Sequence, residues 1–382
     1  MNNLYLAALC AAGGLGRAKL VELVGALGSA RAVLEADAET LMGTGLLAED
    51  VARAYARKRK ARWPEHIEHF CNQHAVQLIS YKDANYPLSL LHTADPPLVL
   101  YVKGKLPTED YRFAVVGSRA CTEYGRRAAD YFASELAERG VPIISGGARG
   151  IDTAAHAACL RKGGKTVAVL GCGLDIVYPE ENAGLFQRIV EQGGAVVSEF
   201  APETPPIYYN FPARNRIIVG LSQGVLVAQA AKKSGAIITA NIAADEGRDV
   251  YCVPGNVFDK TSIGCHELIR MGAKLVDNVE HILEDKLSWE MARKERIMQP
   301  SIFELAPLGS EEKEAKVEQP KVIINASPLG QKLLACMQGG ARSLEELTEY
   351  CTESLATVSM ELLELQMQGL VAQDQAQKYY RR

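Results

Sequence analysis

Between Arg112 and about Val276, short uninterrupted apolar runs alternate with stretches of helical periodicity. The runs are FAVVG (113–117), VPIIS (141–145), TVAVL (166–170), AVVS (195–198), GVLVA (224–228), DVYCV (249–253) and AKLV (273–276). A strand wetted on one face alternates apolar with polar residues, so a run that is apolar throughout must be covered on both faces. Runs of this kind separated by helices predict a doubly wound, Rossmann-like α/β fold with a parallel sheet.

The flanks follow other periods. Residues 4 to about 75 read as helices, with Leu20, Leu23, Val24 and Leu27 at helical spacing and turns at Gly13-Gly14, Gly28 and Gly43 to Gly45. Helices joined by glycine turns suggest a SAM-like or helix-hairpin-helix-like module, although GGLG stands where a tight GxG hairpin turn belongs. Residues 285–324, centred on EEKEAKVEQPK, read as a charged linker. In the tail, SLEELTEYCTESLATVSMELLELQMQGLVAQ gives two helices and the start of a ribbon, a winged-helix pattern. The expected division is 1–80 helical, 81–284 Rossmann-like with its lead-in, 285–324 linker and 325–382 winged helix.

In an open parallel sheet, ligands bind beyond the carboxyl ends of the strands, so the residues following each run carry the chemistry. Here those loops are rich in small residues: GSRACTEYG, GGARGIDTAAH, GCGLDIVYPEEN, SEFAPETPP, QAAKKSGAIITA and PGN. Small residues let backbone amides approach a ligand, and the helix starts that follow favour anions. Arg119 and Arg149 add fixed positive charge at two of these mouths. NAD is not expected, because GxGxxG is absent after the first run. Gly163-Gly164-Lys165-Thr166 imitates the end of a P-loop but precedes a strand instead of following one.

The segment NFPARNRIIVGLSQG (210–224) places Arg214, Asn215 and Arg216 beside Tyr208, Tyr209 and Phe211. Arginines interleaved with aromatics suit a single nucleic-acid strand, whose phosphates pair with guanidinium groups while its unpaired bases stack on rings. The alternative is that Arg-Asn-Arg braces neighbouring loops. Asp152, His156, Asp175, Glu199 and Glu267 near strand ends have no partnered nucleophile, so they read as caps and arginine partners rather than catalysts. His66, His69, Cys71 and His74 lack a second ligand cluster, and no metal or cofactor is expected.

Taken together, VVGSRACTEYG, SGGARGIDTAAH, LGCGLDIVYPEEN, NFPARNRIIVGLS and DVYCVPGN resemble the DNA-processing protein A family, as do the lead-in YPLSLLHTADPPLVLYVKG (86–104) and the helices before it. The resemblance implies a non-enzymatic protein that binds single-stranded DNA and loads the RecA recombinase in natural transformation and recombination. It implies a DNA pocket at Gly117, Ser118, Arg119, Gly146, Ala148, Arg149, Gly150, Ile151 and Asp152. It also implies a homodimer through GCHELIRMGAKLV (264–276), putting His266, Leu268, Ile269 and Leu275 at the interface. Two segments depart from the family pattern: Glu180 and Glu181 follow YP where some relatives carry a basic residue, and Gln229 stands where many carry Glu. The main competing class is a nucleotide phosphoribohydrolase-like enzyme, whose compact PGGxGTxxE loop is missing, since Pro254-Gly255 is followed by Asn256.

Bulk properties constrain the partners. The net charge of −4 over 382 residues provides no general attraction for polyanions, so any DNA site must be a local patch. Residues 326–382 carry five Lys or Arg against seven Asp or Glu, which disfavours the winged helix as the DNA grip and favours a protein contact there. Nine scattered cysteines without a CxxC pair suit a reducing compartment, and no apolar stretch is long enough to cross a membrane; a cytoplasmic location is the expectation.

Overall fold

A computed structural model of the chain describes residues 2–59, 62–298, 327–337, 342–351, 353–367, 370–373 and 378–381. The chain divides into two compact units, 1–301 and 302–382.

The first unit opens with six helices: α1 (Asn2–Ala12), α2 (Arg17–Ala26), α3 (Ala30–Glu35), α4 (Ala38–Gly43), α5 (Glu49–Lys58) and α6 (Trp63–His74). Ser29 and Asp37 start two of them by accepting hydrogen bonds from the Ala32 and Thr40 amides. Their apolar faces, with Leu9, Leu23, Val33, Leu41, Tyr55 and Ile67 fully buried, close over Val99 and Tyr101 of the sheet. The helical layer therefore shares its core with the domain that follows.

The sheet has nine strands. Strand β1 (Val76–Ser80), helix α7 (Leu88–Leu91) and β2 (Val99–Gly104) form the lead-in. Then come β3 (Phe113–Gly117), α8 (Glu123–Glu138), β4 (Ile143–Ser145), α9 (Ile151–Arg161), β5 (Thr166–Val169), α10 (Ala183–Glu191), β6 (Ala195–Ser198), α11 (Asn210–Gly220), β7 (Gly224–Gln229), α12 (Gly235–Asp245), β8 (Asp249–Cys252), α13 (Ile263–Arg270), β9 (Lys274–Leu275) and α14 (Glu280–Met298). Spatial order is β1-β2-β6-β5-β4-β3-β7-β8-β9. All seven expected runs are strands, and they pair in parallel. The sheet as a whole is mixed, because β1 and β2 add an antiparallel edge against β6.

Alternate residues of the central strands feed opposite cores. Ala114 and Val116 pack with Ile217, Val219 and Ala240 under α11 and α12, while Phe113 and Val115 pack with Phe132, Leu136 and Ala155 under α8 and α9. Each fully buried Val, Leu or Ile contributes about 1.5–3 kcal/mol, and the buried polar residues Ser145, Thr166, Ser198 and Gln229 stand at the strand ends. Residues 285–298, expected as linker, instead continue α14, whose Ile282 is buried and whose Trp289 ring meets Tyr111 edge-on at 5.4 Å. EEKEAKVEQPK lies outside the described residues.

The second unit contains α15 (Pro328–Cys336), α16 (Leu344–Cys351), α17 (Leu355–Met367) and an antiparallel ribbon of β10 (Val371–Gln373) and β11 (Tyr379–Arg381). Leu333, Leu347, Val358, Leu362 and Val371 form its core. Three helices and a ribbon make a winged helix.

All nine cysteines are free thiols. Burial pushes Cys10 and Cys159 up to about 12, and Cys71 and Cys172 up to about 11. Cys10, Cys121 and Cys336 are half-buried. Among the described residues, no group of His, Cys, Asp and Glu could hold a metal ion, and no helix is long and apolar enough to cross a membrane.

Candidate nucleic-acid interface

The strand order reverses between β3 and β7: β4, β5 and β6 extend from β3 in one direction, and β7, β8 and β9 in the other. At such a switch point the loops leaving the two strands diverge and open a crevice. A cleft of about 510 Å³ lies there. Gly117, Ser118 and Arg119 line it from the β3 loop, Ala148 and Asp152 from the start of α9, Tyr208, Phe211, Arg214 and Asn215 from α11 and its approach, and Lys233, Ser234 and Gly235 from the start of α12.

Two loops are bolted together at this mouth. Gly150 has φ +81°, and a Cβ there would lie 2.4 Å from the Ser118 carbonyl oxygen and 2.6 Å from that of Arg119. The Ile151 amide donates to the same Ser118 oxygen at 3.2 Å. Gly150 thus lets the GARG loop lie flush against the GSR loop. Ile151 itself is fully buried between helix and sheet, so its side chain cannot meet a ligand. Gly146 plays a comparable part: a Cβ there would strike Asp152 Oδ2 at 2.6 Å and an Arg214 terminal nitrogen at 2.7 Å.

Gln229 closes the end of β7. Its Oε1 accepts from the Thr122 amide and its Nε2 donates to Thr122 Oγ1, both at 2.8 Å, while Thr122 caps α8 by accepting from Gly125. A neutral amide serves both halves of this exchange, and the residue is buried.

The arginines divide into three kinds. Arg119 is exposed, with its guanidinium carbon 4.8 Å from the Phe211 ring centroid, so a cation and a π-face stand together in the cleft. Arg149 is exposed but lies outside the cleft lining; its Nε and a terminal nitrogen donate to the two carboxylate oxygens of Glu181 at 2.9 and 3.0 Å. Glu181, one of the two departures in the third loop, therefore occupies the fork that the sequence assigned to an anion. Arg214 is buried and donates to the Gly146 carbonyl at 2.6 Å and to the Val169 carbonyl, with Asn215 accepting from its Nε at 3.3 Å. Burial lowers its pKa to about 10 against the pull of Asp152, and burial raises that of Asp152 against the pull of Arg214. This pair braces the cleft floor.

Arg216, expected to grip DNA, points out of the cleft. It donates to Glu199 Oε2 at 2.5 Å and pairs with Asp95 at 3.2 Å, and Arg17 of α2 pairs with both carboxylates. Four charges thus tie the helical layer to the lead-in and to β6. Burial pushes Glu199 up to about 7 despite Arg17.

The sequence points to the QAAKKSGAIITA loop and the helix start after it, but not to Lys233 as a site residue. Lys233 is exposed at the cleft, and Ser234 Oγ caps the helix by accepting from the Ala236 amide at 3.3 Å. The cation and the helix start both favour an anion here. The signal was present as KKSG directly after the fifth run. At the rim, Tyr208 and Tyr209 are 76% and 79% exposed, edge to face at 5.7 Å.

Of the residues assigned to a dimer interface, Leu268 belongs to the monomer core and His266 Nε2 lies 3.1 Å from the Gly255 carbonyl oxygen. Ile269 is half-buried against the same core, and Leu275 is exposed on the edge strand with Met271 nearby.

His156, four residues after Asp152 on α9, lies in the core. It is fully buried, with Nδ1 2.7 Å from Thr166 Oγ1, and burial lowers its pKa to about 3. The unfolded chain gains this proton near pH 6.5, while the folded chain resists until about 3. The linked stability is thus complete above about 6.5 and falls as pH drops from 6.5 towards 3, by about 1.4 kcal/mol per pH unit. Chemical denaturation of wild type and His156→Gln between pH 7 and 4 should show a stability difference that shrinks by this slope. A difference independent of pH would contradict a neutral buried imidazole.

Residues 77–286 match the family model for DNA recombination-mediator protein A, and residues 317–377 match the DprA winged helix domain. Protein Smf of Escherichia coli (strain K12) is 45% identical over 255 residues, 65% of this chain and 66% of its own length. Protein Smf of Synechocystis is 34% identical over 324 residues, 80% of each chain. The X-ray structure of DNA processing protein A from Streptococcus pneumoniae superposes with TM-score 0.62 at 35% identity, covering 74% of this chain and 98% of that one. DNA processing protein A from Helicobacter pylori, described for its single-stranded DNA binding mode, superposes with TM-score 0.50 at 32% identity over 56% and 96%.

Proposed function

The chain belongs to the DNA recombination-mediator protein A family, and on that premise we propose that the cleft at the β3/β7 switch point binds single-stranded DNA. One observation carries the reading: an exposed guanidinium on an aromatic ring, Arg119 over Phe211, stands in the same cleft as Lys233 and a capped helix start. Phosphates suit the cations and the α12 amides, while unpaired bases suit Phe211 and the Tyr208 rim. Arg149 joins the site when a phosphate displaces Glu181, an exposed pair of little net strength. A duplex keeps its bases stacked inside and offers the rings nothing. The protein acts by binding rather than by catalysis, in recombination, where the family resemblance makes RecA loading during natural transformation its role. A homodimer through the β9 edge, with Leu275 and Met271 in contact, would place two clefts on one strand.

Competition between single-stranded and duplex oligonucleotides of equal length at physiological salt tests this. Single strands should win by at least tenfold. Equal affinity would sink the cleft assignment, and turnover of nucleoside monophosphates to free base would replace it with an enzyme.

A further inference from the structure

Helix α8 is capped by Thr122, three residues beyond Arg119, and carries a surface the cleft does not use. Tyr124, Arg127 and Tyr131 fall at spacings of three and four, hence on one helical face. They line a groove of about 900 Å³ with Arg161 and Pro254. Tyr124 and Tyr131 are 50% and 41% exposed. The Tyr124 hydroxyl donates to the Pro254 carbonyl at 2.5 Å, and the Tyr131 ring rests edge-on against Phe132 at 5.1 Å. Neighbouring cations are taken: Arg126 by Glu123, Arg161 by Asp130 and Lys162 by Glu138. Arg127 is exposed and has no ion-pair partner among the described residues.

We propose that this face of α8 is a second track for single-stranded nucleic acid, taking the strand as it leaves the cleft past Arg119, with bases stacked on Tyr124 and Tyr131 and a phosphate on Arg127. The proposal rests on the cleft binding single strands. Its occupant follows from the short stretch of chain between the two surfaces, Ala120 lining the cleft and Glu123 the groove, and from the alternation of ring, free cation and ring, the pattern that holds a strand without reading sequence. Seven residues of helix span about 10 Å, or about three phosphate spacings at the stacked distance of 3.4 Å. The track therefore serves strands too long for the cleft alone.

Fluorescence anisotropy with hexathymidylate and a twenty-nucleotide oligothymidylate tests it, using wild type, Tyr131→Ala and Arg127→Glu, with light scattering to hold the oligomeric state constant. Both side chains are exposed, so both variants should fold. The expected result is unchanged hexamer binding and about tenfold weaker binding of the longer strand in each variant. Unchanged affinity for the longer strand in both variants overturns the track, as does an equal loss for both lengths. Wild type that binds neither oligonucleotide overturns the cleft reading itself, and the track with it.

Discussion

Gly150→Ala should destabilise the first unit by about 3 kcal/mol and take the DNA site with it. A side chain at φ +81°, ψ −120°, a sparsely populated region for L residues, costs about 1–3 kcal/mol. The new methyl would also sit 2.4 Å from one backbone oxygen and 2.6 Å from another. Neither oxygen is the far end of a flexible side chain, so the two loops must part at a further cost of about 1–3 kcal/mol. Thermal unfolding should shift down by roughly 6 °C. Single-strand affinity should fall as well, because Arg119 rides on the displaced loop. A variant with wild-type melting and wild-type binding would mean that the GSR and GARG loops are not held together as described.

Arg119→Ala with Lys233→Ala should leave the fold intact and nearly abolish binding. Both side chains are exposed, so their loss costs the core little. Two phosphate contacts removed lower the salt slope by about 1.4 for a single strand. Loss of the cation that sits over Phe211 weakens the stacking platform too, and together affinity should drop about fiftyfold at physiological salt. Titrations across a salt series would separate these contributions. Lys233→Ala alone should lower the slope by about 0.7 while leaving the platform in place. A double variant that binds as wild type would move the site elsewhere on the molecule.

How legible these features were in the sequence depends on what each residue's neighbours could reveal. The central strands were visible because double-sided burial leaves uninterrupted apolar runs such as TVAV and GVLVAQ. The antiparallel edge was not: VLYVKG was noticed as part of a motif, and its pairing with β6 depends on a crossover that no local pattern encodes. Helix α14 was hidden by its charge, since its buried contacts through Ile282 and Trp289 are sparse among Glu, Lys and Arg. The arginines were the hardest to read. Arg214 and Arg216 stand two apart in NFPARNR, yet one is held in the cleft floor by the Gly146 and Val169 carbonyls and the other is bound to Glu199, whereas Arg119 is the exposed guanidinium of the three in the cleft. Sequence reports a guanidinium but not which carboxylate or carbonyl will claim it. Lys233 was missed for the converse reason, because one lysine of a pair reads as a solvated residue until a helix start is found beneath it.

The burial of the cysteines has a practical side. A thiol held protonated in a core does not react with maleimides or iodoacetamides, because the thiolate is the attacking species. Cys71, Cys159 and Cys172 are shielded in this way, and Cys10 is raised as high as any of them. Cys121 is half-buried and lies between Ala120 on the cleft wall and Thr122 at the cap of α8. With Cys10 and Cys336 replaced by serine, a single dye could be attached at the rim of the candidate cleft without introducing a new cysteine. Cys121 thus supplies a native attachment point for a fluorophore that would report strand entry in real time.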